Sequence, residues 1–413
     1  MFIIRLFELL QNVTNDKSIL EAARLRINAF IRNRSMSFAD ALCFMLDMRK
    51  TTLQTRLNLF FRHKQGGEPI SQQAFSKLRA NFDHSPFETM VRELVKEEYS
   101  GNYELPLWNG FHVFAVDGSY LQLPKTKELA KEYGVRGGGQ RPSAGISVLY
   151  DVRHGWAIDP IITTTNMNER AECEKHIDFL CQHLPHIAKN SVLLLDRGYP
   201  SQDLLKKLSS CEIKFLARCK VGFSAKIDAL PAGDSTIALR NGTRVRIIKF
   251  SLANGNAETL ATNLENTPMS ELKELYDLRW SIETAYFRLK QELCVEKFSG
   301  KTPNAIRQDF WASMVLLNSV AVFQKEADQE VLERQSGKDV KHTNRARTSD
   351  LIITLRDRFI FANLCGQPVL AAAEMDDVIK TLARVVSPIR PGRFFKRHPA
   401  PFQAANFNLK SHL

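Results

Sequence analysis

The chain has 413 residues, 44% hydrophobic and 25% charged, an ordinary globular composition with room for two or three domains. Its 57 Lys and Arg against 45 Asp and Glu leave a formal charge of +12 and a pI near 9.3, which favours a polyanionic partner, nucleic acid ahead of a membrane surface. The seven cysteines form no CxxC pair, the start "MFIIRLFELL" carries Arg5 and Glu8 inside its apolar run, and the longest apolar run (310–323) is short for a bilayer span. Together these argue against a disulfide framework, a zinc cluster, a secretory leader and a membrane anchor, so a soluble cytoplasmic protein is expected.

Residues 1–100 read as helical. Ser71 is a plausible N-cap for "SQQAFSKLRANF" (71–82), and "TTLQTRLNLFFRH" (51–63) has similar character. Around the Gly-containing turn "KQGGEPI" the two form either a helix-turn-helix or a pair of bundle helices. From about 101 the texture changes. "FHVFAVDGS" (111–119) reads as a strand ending at Asp117-Gly118, and "ISVLYDVRHGWAIDPIITTTN" (146–166) as two strands joined near His154, itself read as a turn residue. A helix (169–184), the apolar strand "SVLLLDRGY" (191–199), a second helix and the strand "IKFLARCK" (213–220) follow. The order β-β-β-α-β-α-β predicts an α/β layer.

Residues 221–266 contain an Asn-Gly turn between alternating strands and read as a small β insertion. A long helix over 270–293 comes next, then mostly helical sequence to a basic tail.

On the 270–293 helix Leu275, Leu278, Ile282, Ala285, Leu289 and Leu293 share the core arc. Tyr276, Arg279, Glu283 and Lys290 form a second stripe beside it, within roughly 60° of one another. A surface ion-pair ladder would explain such a stripe, worth only tenths of a kcal/mol. Two further carboxylates weigh against that reading. Asp117 and Asp196 each follow an apolar strand and each is followed shortly by glycine, at Gly118 and Gly198. Strand ends are where α/β sheets present reactive groups. If Asp117, Asp196 and Glu283 converge, their repulsion calls for divalent cations, and oxygen ligands without a His or Cys cluster favour Mg²⁺ or Mn²⁺ over Zn²⁺.

The spacing Y-x2-R-x3-E-x6-K at Tyr276, Arg279, Glu283 and Lys290, with "VDGS" around Asp117 and "LDRGY" around Asp196, resembles the DDE transposases of bacterial insertion sequences, in particular the YREK cut-and-paste group. The resemblance covers roughly 101–305. It implies a ribonuclease-H-like catalytic domain over 101–305 with a β insertion at about 221–266, between a helical N-terminal DNA-binding region (1–100) and a helical C-terminal region (306–413). It also implies two Mg²⁺ or Mn²⁺ ions on Asp117, Asp196 and Glu283, with Tyr276, Arg279 and Lys290 on the DNA backbone. The implied chemistry is end nicking, hairpin formation and strand transfer by a 3′-hydroxyl. The implied partners are transposon-end and target DNA and a second copy of the chain, which makes the protein nucleoid-associated. A DNA-binding relic that does not cut is the alternative.

Trp280 matches an aromatic position that stacks on an extruded base in such enzymes, or else packs locally. Arg136 and Arg141 in the Gly-rich stretch 133–145 are candidate DNA contacts, that stretch being otherwise an inert surface loop. Arg390, Arg393, Phe394, Phe395, Lys396 and Arg397 of the tail are open to DNA contact or to a solvated terminus.

Overall fold

The computed structural model describes residues 2–31, 35–47, 51–64, 68–137, 139, 141–251, 257–339, 342–364 and 367–389. The tail positions Arg390, Arg393, Phe394, Phe395, Lys396 and Arg397, and Cys365, lie outside the described residues. The chain divides into two compact units, Val95–Arg288 and, from the two ends of the sequence, Met1–Leu94 with Leu289–Leu413.

Helices α1 (Ile3–Asn15), α2 (Lys17–Ala23), α3 (Phe38–Met45), α4 (Leu53–His63), α5 (Gln72–Arg79) and α6 (Ser85–Glu98) come first. Then follow β1 (His112–Gln122), α7 (Lys127–Tyr133), β2 (Ser143–Asp151), β3 (Trp156–Thr163), α8 (Glu169–His183), α9 (Pro185–Lys189), β4 (Ser191–Leu195), α10 (Gln202–Ser210) and β5 (Lys214–Arg218). A short α11 (Ala225–Asp228) leads to β6 (Gly233–Ala238), β7 (Arg244–Ser251) and β8 (Ala257–Thr262). Helices α12 (Met269–Asp277) and α13 (Trp280–Phe287) run into a π-helical turn at Arg288–Glu292. The chain continues through α14 (Pro303–Gln335), β9 (Asn344–Ala346), α15 (Thr348–Leu364), α16 (Pro368–Leu382) and β10 (Val386–Pro388).

In the unit from the chain ends, aromatic side chains fill the core. Phe7 lies 6.3 Å from Phe323 and 5.8 Å from Phe359 between ring centroids, and Phe44 meets both Phe60 and Phe75 edge-on. Ser71 does cap α5, accepting from the Ala74 N–H. The buried Arg79 fastens the end of α5 to the start of α14. Its Nε donates to Gln308 at 2.9 Å, and its terminal nitrogens to Ser299 at 2.6 Å, the Ala305 carbonyl at 3.0 Å and Asp309 at 2.8 Å.

In the unit Val95–Arg288, eight strands among the described residues form one sheet in the order β3-β2-β1-β4-β5-β8-β7-β6. Strand β2 runs antiparallel to both β1 and β3, while β4 and β5 run parallel to β1. This is the α/β arrangement that the ribonuclease-H-like expectation describes. All nine residues of β2 and all five of β4 are buried, as strands covered on both faces must be. The buried His176 of α8 bridges Ser147 of β2 (2.9 Å) and Asp159 of β3 (2.6 Å), holding α8 on that face. His154 lies in the β2–β3 turn, as read, and contacts the buried Glu98 at 2.7 Å.

Three sequence expectations change in detail. Asp117 sits in the middle of β1 rather than at its end, because β1 continues to Gln122 against β2 after its pairing with β4 stops. Helix α7 intervenes between β1 and β2. The 221–266 segment, read as a β insertion, adds β8, β7 and β6 to the main sheet through antiparallel pairing of β8 with β5. The 270–293 helix is not uniform. Around Arg279 its backbone bonds tighten to i→i−3, and at Arg288–Glu292 they loosen into the π turn.

Candidate active site

Strand register brings the two aspartates level. Strands β1 and β4 pair from His112 with Ser191 to Ala115 with Leu194. Two residues further on lie Asp117, within β1, and Asp196, just past the end of β4, at the same level along the two strands. Asp196 is the first residue beyond β4, which leaves the edge of β1 open at that level. The Asp117 carboxylate accepts the Gly118 N–H at 2.9 Å.

Helix α13 supplies the third acid. The buried Tyr286 donates from its hydroxyl to the Asp117 carbonyl at 2.6 Å and so pins the helix to β1. Burial, with Asp117 and Glu169 nearby, holds that phenol protonated as a donor. Glu283, one turn earlier, lies within electrostatic reach of Asp117. Burial chiefly, and then Glu283 and Glu169, push the Asp117 carboxyl up to about 6, against the opposing pull of the Gly118 N–H and Arg279.

Arg279 is the cation these acids share. It is buried, 3.4 Å from Glu283, and stacked near Tyr276 (5.9 Å to the ring centroid) and Trp280 (5.5 Å). Burial works against its charge, but Tyr276, Asp196, Asp117 and Glu283 outweigh it and raise the guanidinium above its ordinary value. Its Nε has no hydrogen-bond acceptor among the described residues. Tyr276, also buried, donates weakly to Asp196 (3.4 Å) and the Leu195 carbonyl (3.5 Å).

The structure thus brings Asp117, Asp196, Glu283, Tyr276 and Arg279 together. Trp280 is beside them with 48% of its surface exposed. Lys290 falls in the π turn and belongs to the other unit, which resumes at Leu289. Arg136 is exposed, with its guanidinium 3.8 Å over the Tyr120 ring, and Arg141 is exposed just before β2. Three residues had escaped the sequence reading, Glu169, Tyr199 and Tyr286. The glycine following each aspartate was the available signal, since such glycines admit a close neighbour.

Among the described residues no three Asp, Glu, His or Cys side chains stand close enough to enclose an ion as they are oriented. The donor chemistry nonetheless suits a hard divalent cation. Among the described residues the carboxylates of Asp117, Asp196 and Glu283 supply hard oxygen donors, and the buried Tyr199 hydroxyl has no hydrogen-bond partner.

A transposase DDE domain family model matches residues 108–319, just over half of the chain. Among curated proteins, the transposase InsG for insertion sequence element IS4 of Escherichia coli (strain K12) is 23% identical over 239 residues, 52% of this chain and 52% of that protein. The putative transposase y4zB of Sinorhizobium fredii (strain NBRC 101917 / NGR234) is 32% identical over 147 residues, 31% of this chain and 41% of that protein. The chain therefore spans about half the length of the first of these relatives, and less of the second. Among solved structures, the piggyBac transposase synaptic complex with hairpin DNA shares the fold, with a TM-score of 0.52, 12% identity, and coverage of 91% of this chain and 85% of that one. Among the described residues no helix is long and apolar enough to cross a membrane.

Proposed function

The chain belongs to the transposase DDE domain family, and from that premise we propose that it is a DNA transposase of the YREK cut-and-paste group. The observation that carries the reading is that Asp117 in β1 and Asp196 just past the end of the adjacent parallel β4 lie level, with α13, which carries Glu283, held to β1 by the Tyr286 bond to the Asp117 carbonyl.

In this reading Asp117, Asp196 and Glu283 hold Mg²⁺ or Mn²⁺. Such ions, when bound as a pair, activate an attacking oxygen and stabilise the leaving one in phosphoryl transfer. The protein's own groups do the positioning. Arg279 offers its unpartnered Nε and its charge to a backbone phosphate at the end being cut, and Lys290 adds a point charge. Tyr276 orients Asp196 and reaches the same backbone. The exposed Trp280 ring, braced by Arg279, stacks on a base extruded as the strand bends into a hairpin. Arg136 and Arg141 add phosphate contacts, and the strands β6–β8 act as the family's β insertion. The N-terminal helices bind DNA and the C-terminal helices join two copies on paired ends. The 3′-hydroxyl released by nicking attacks the opposite strand and closes a hairpin as the flanking strand leaves, water then opens the hairpin and regenerates the 3′-hydroxyl, and that hydroxyl attacks the target.

The test uses DNA fragments carrying the inverted repeats that flank the gene, end-labelled, with Mg²⁺, Mn²⁺ or chelator. Metal-dependent nicks and hairpins are expected from the wild type, with at least a 10³-fold loss in Glu283→Gln, roughly the scale of removing transition-state charge stabilisation. Tight binding with no cleavage under any metal would sink this reading in favour of a non-cutting DNA-binding relic.

A further inference from the structure

Helix α5 is held rigidly at both ends and leaves one face free. At its start Gln54 of α4 accepts the Gln72 N–H at 2.9 Å and donates to the Ile70 carbonyl at 3.2 Å. At its end Arg79 is locked by Gln308 and Asp309 of α14. Phe75 and Arg79 turn inward and are buried, while Gln73, Ala74, Ser76, Lys77 and Ala80 are exposed. Ser76 folds its hydroxyl back onto the Gln72 carbonyl at 2.8 Å. The side chains of Gln73 and Lys77 make no hydrogen bond or ion pair among the described residues.

Composition separates this face from an ordinary solvated one. Residues 49–81 carry seven Lys and Arg against one acid, Glu68, so part of the chain's positive excess is concentrated here. Neither α4 nor α5 contains an Asp or Glu, whereas a solvated helix face usually mixes both signs. The neighbours of Gln73 and Lys77 are also short, at Ala74, Ser76 and Ala80. A helix about 10–12 Å across fills a major groove about 12 Å wide, so trimmed outward positions are what lets it enter deeply enough for a glutamine to reach base edges. The link between α4 and α5, residues 64–71, is longer than the tight turn of a compact helix-turn-helix, so the assignment rests on the α5 face itself.

We propose that α5 is the helix that reads the sequence of the transposon end, with Gln73 in its first turn paired to an adenine in the major groove and Lys77, one turn later, on a flanking phosphate. A glutamine amide matches the adenine N6 and N7 edge, and the first turn of such a helix is the part that touches bases. The inference rests on the transposase reading above and names the surface that recognises the DNA.

The experiment measures binding of the full-length protein in chelator, where no cleavage intervenes, by fluorescence anisotropy. The probes are the flanking inverted repeat, a set in which each of its base pairs is changed in turn, and a scrambled fragment. Wild type should prefer the repeat. Gln73→Ala should lose about 10-fold or more of the discrimination at one A·T pair, with scrambled DNA bound as by wild type. Gln73→Arg should move the preference at that same pair to G·C. Lys77→Ala should weaken repeat and scrambled DNA alike and lower the salt slope by about one. Wild-type discrimination at every pair in both Gln73 variants, or an equal loss on repeat and scrambled DNA in Gln73→Ala, would overturn the role of α5 alone. A wild-type protein that binds the repeat no better than the scrambled fragment would overturn the transposase reading with it.

Discussion

At the scale of the residue, Asp117 concentrates the electrostatic tension of the site. Its carboxyl is raised from 3.8 to about 6, mainly by burial. A carboxyl raised on folding contributes its stability below its unfolded value and loses it as pH climbs through the folded one. In chelator, therefore, the protein should lose on the order of 3 kcal/mol between about pH 4 and pH 7 from this group. Asp117→Asn keeps the acceptor for the Gly118 N–H and removes that loss. Urea titrations in chelator should show the variant more stable than wild type at pH 8 and equal to it at pH 3.5. An equal gap at both pH values would mean that Asp117 is not the strained group. Asp117, Asp196 and Glu283 could be nominated from sequence because each breaks a local pattern, an acid closing an apolar run or interrupting a basic stripe. Glu169 could not, since an acid in the first turn of a helix is what any sequence provides.

Among the secondary elements, α8 is the one whose position the sequence left least determined. Its Ser147–His176–Asp159 chain has the residue types and the geometry of a hydrolase triad, yet Ser147 and His176 are fully buried, so no substrate reaches them. The chain is an anchor. His176→Ala removes the nitrogen that Asp159 contacts in the core and should destabilise the protein by about 3–5 kcal/mol in urea unfolding. A change below 1 kcal/mol would mean that α8 is held by its apolar side alone. The break in the 270–293 helix has a similar origin. Residue spacing gives a uniform helix, whereas the i→i−3 bonds around Arg279 and the π turn at Arg288–Glu292 are backbone adjustments that periodicity does not encode.

Over the whole molecule, charge and partnership become one question. A formal charge of +12 predicts DNA association that weakens with salt as phosphate counterions return. Light scattering with paired end fragments should find two chains per pair of ends at low salt, and the complex should dissociate by at least 10-fold in affinity between about 50 and 200 mM salt. One chain per end at every salt concentration would refute the proposed dimer. At this scale also, the helices before and after the central unit, which the sequence separates by some two hundred residues, gather into one unit around Phe7, Phe323, Phe359 and the Arg79 cluster.

The sequence alone determined the α/β class, the order of the first strands, the hairpin at Asn241-Gly242 and the candidate acids, because each depends on local pattern: apolar runs, turn chemistry and spacing along one helix. Only the tertiary structure decided that β8 pairs with β5 to carry the sheet onward, that Asp117 and Asp196 stand level, that Tyr276 and Arg279 are buried among the acids, and that Glu169 lies over Gly118 and Gly198. Those facts depend on strand register and on contacts between distant segments. They are set by the joint burial of many side chains, which no single stretch of residues specifies.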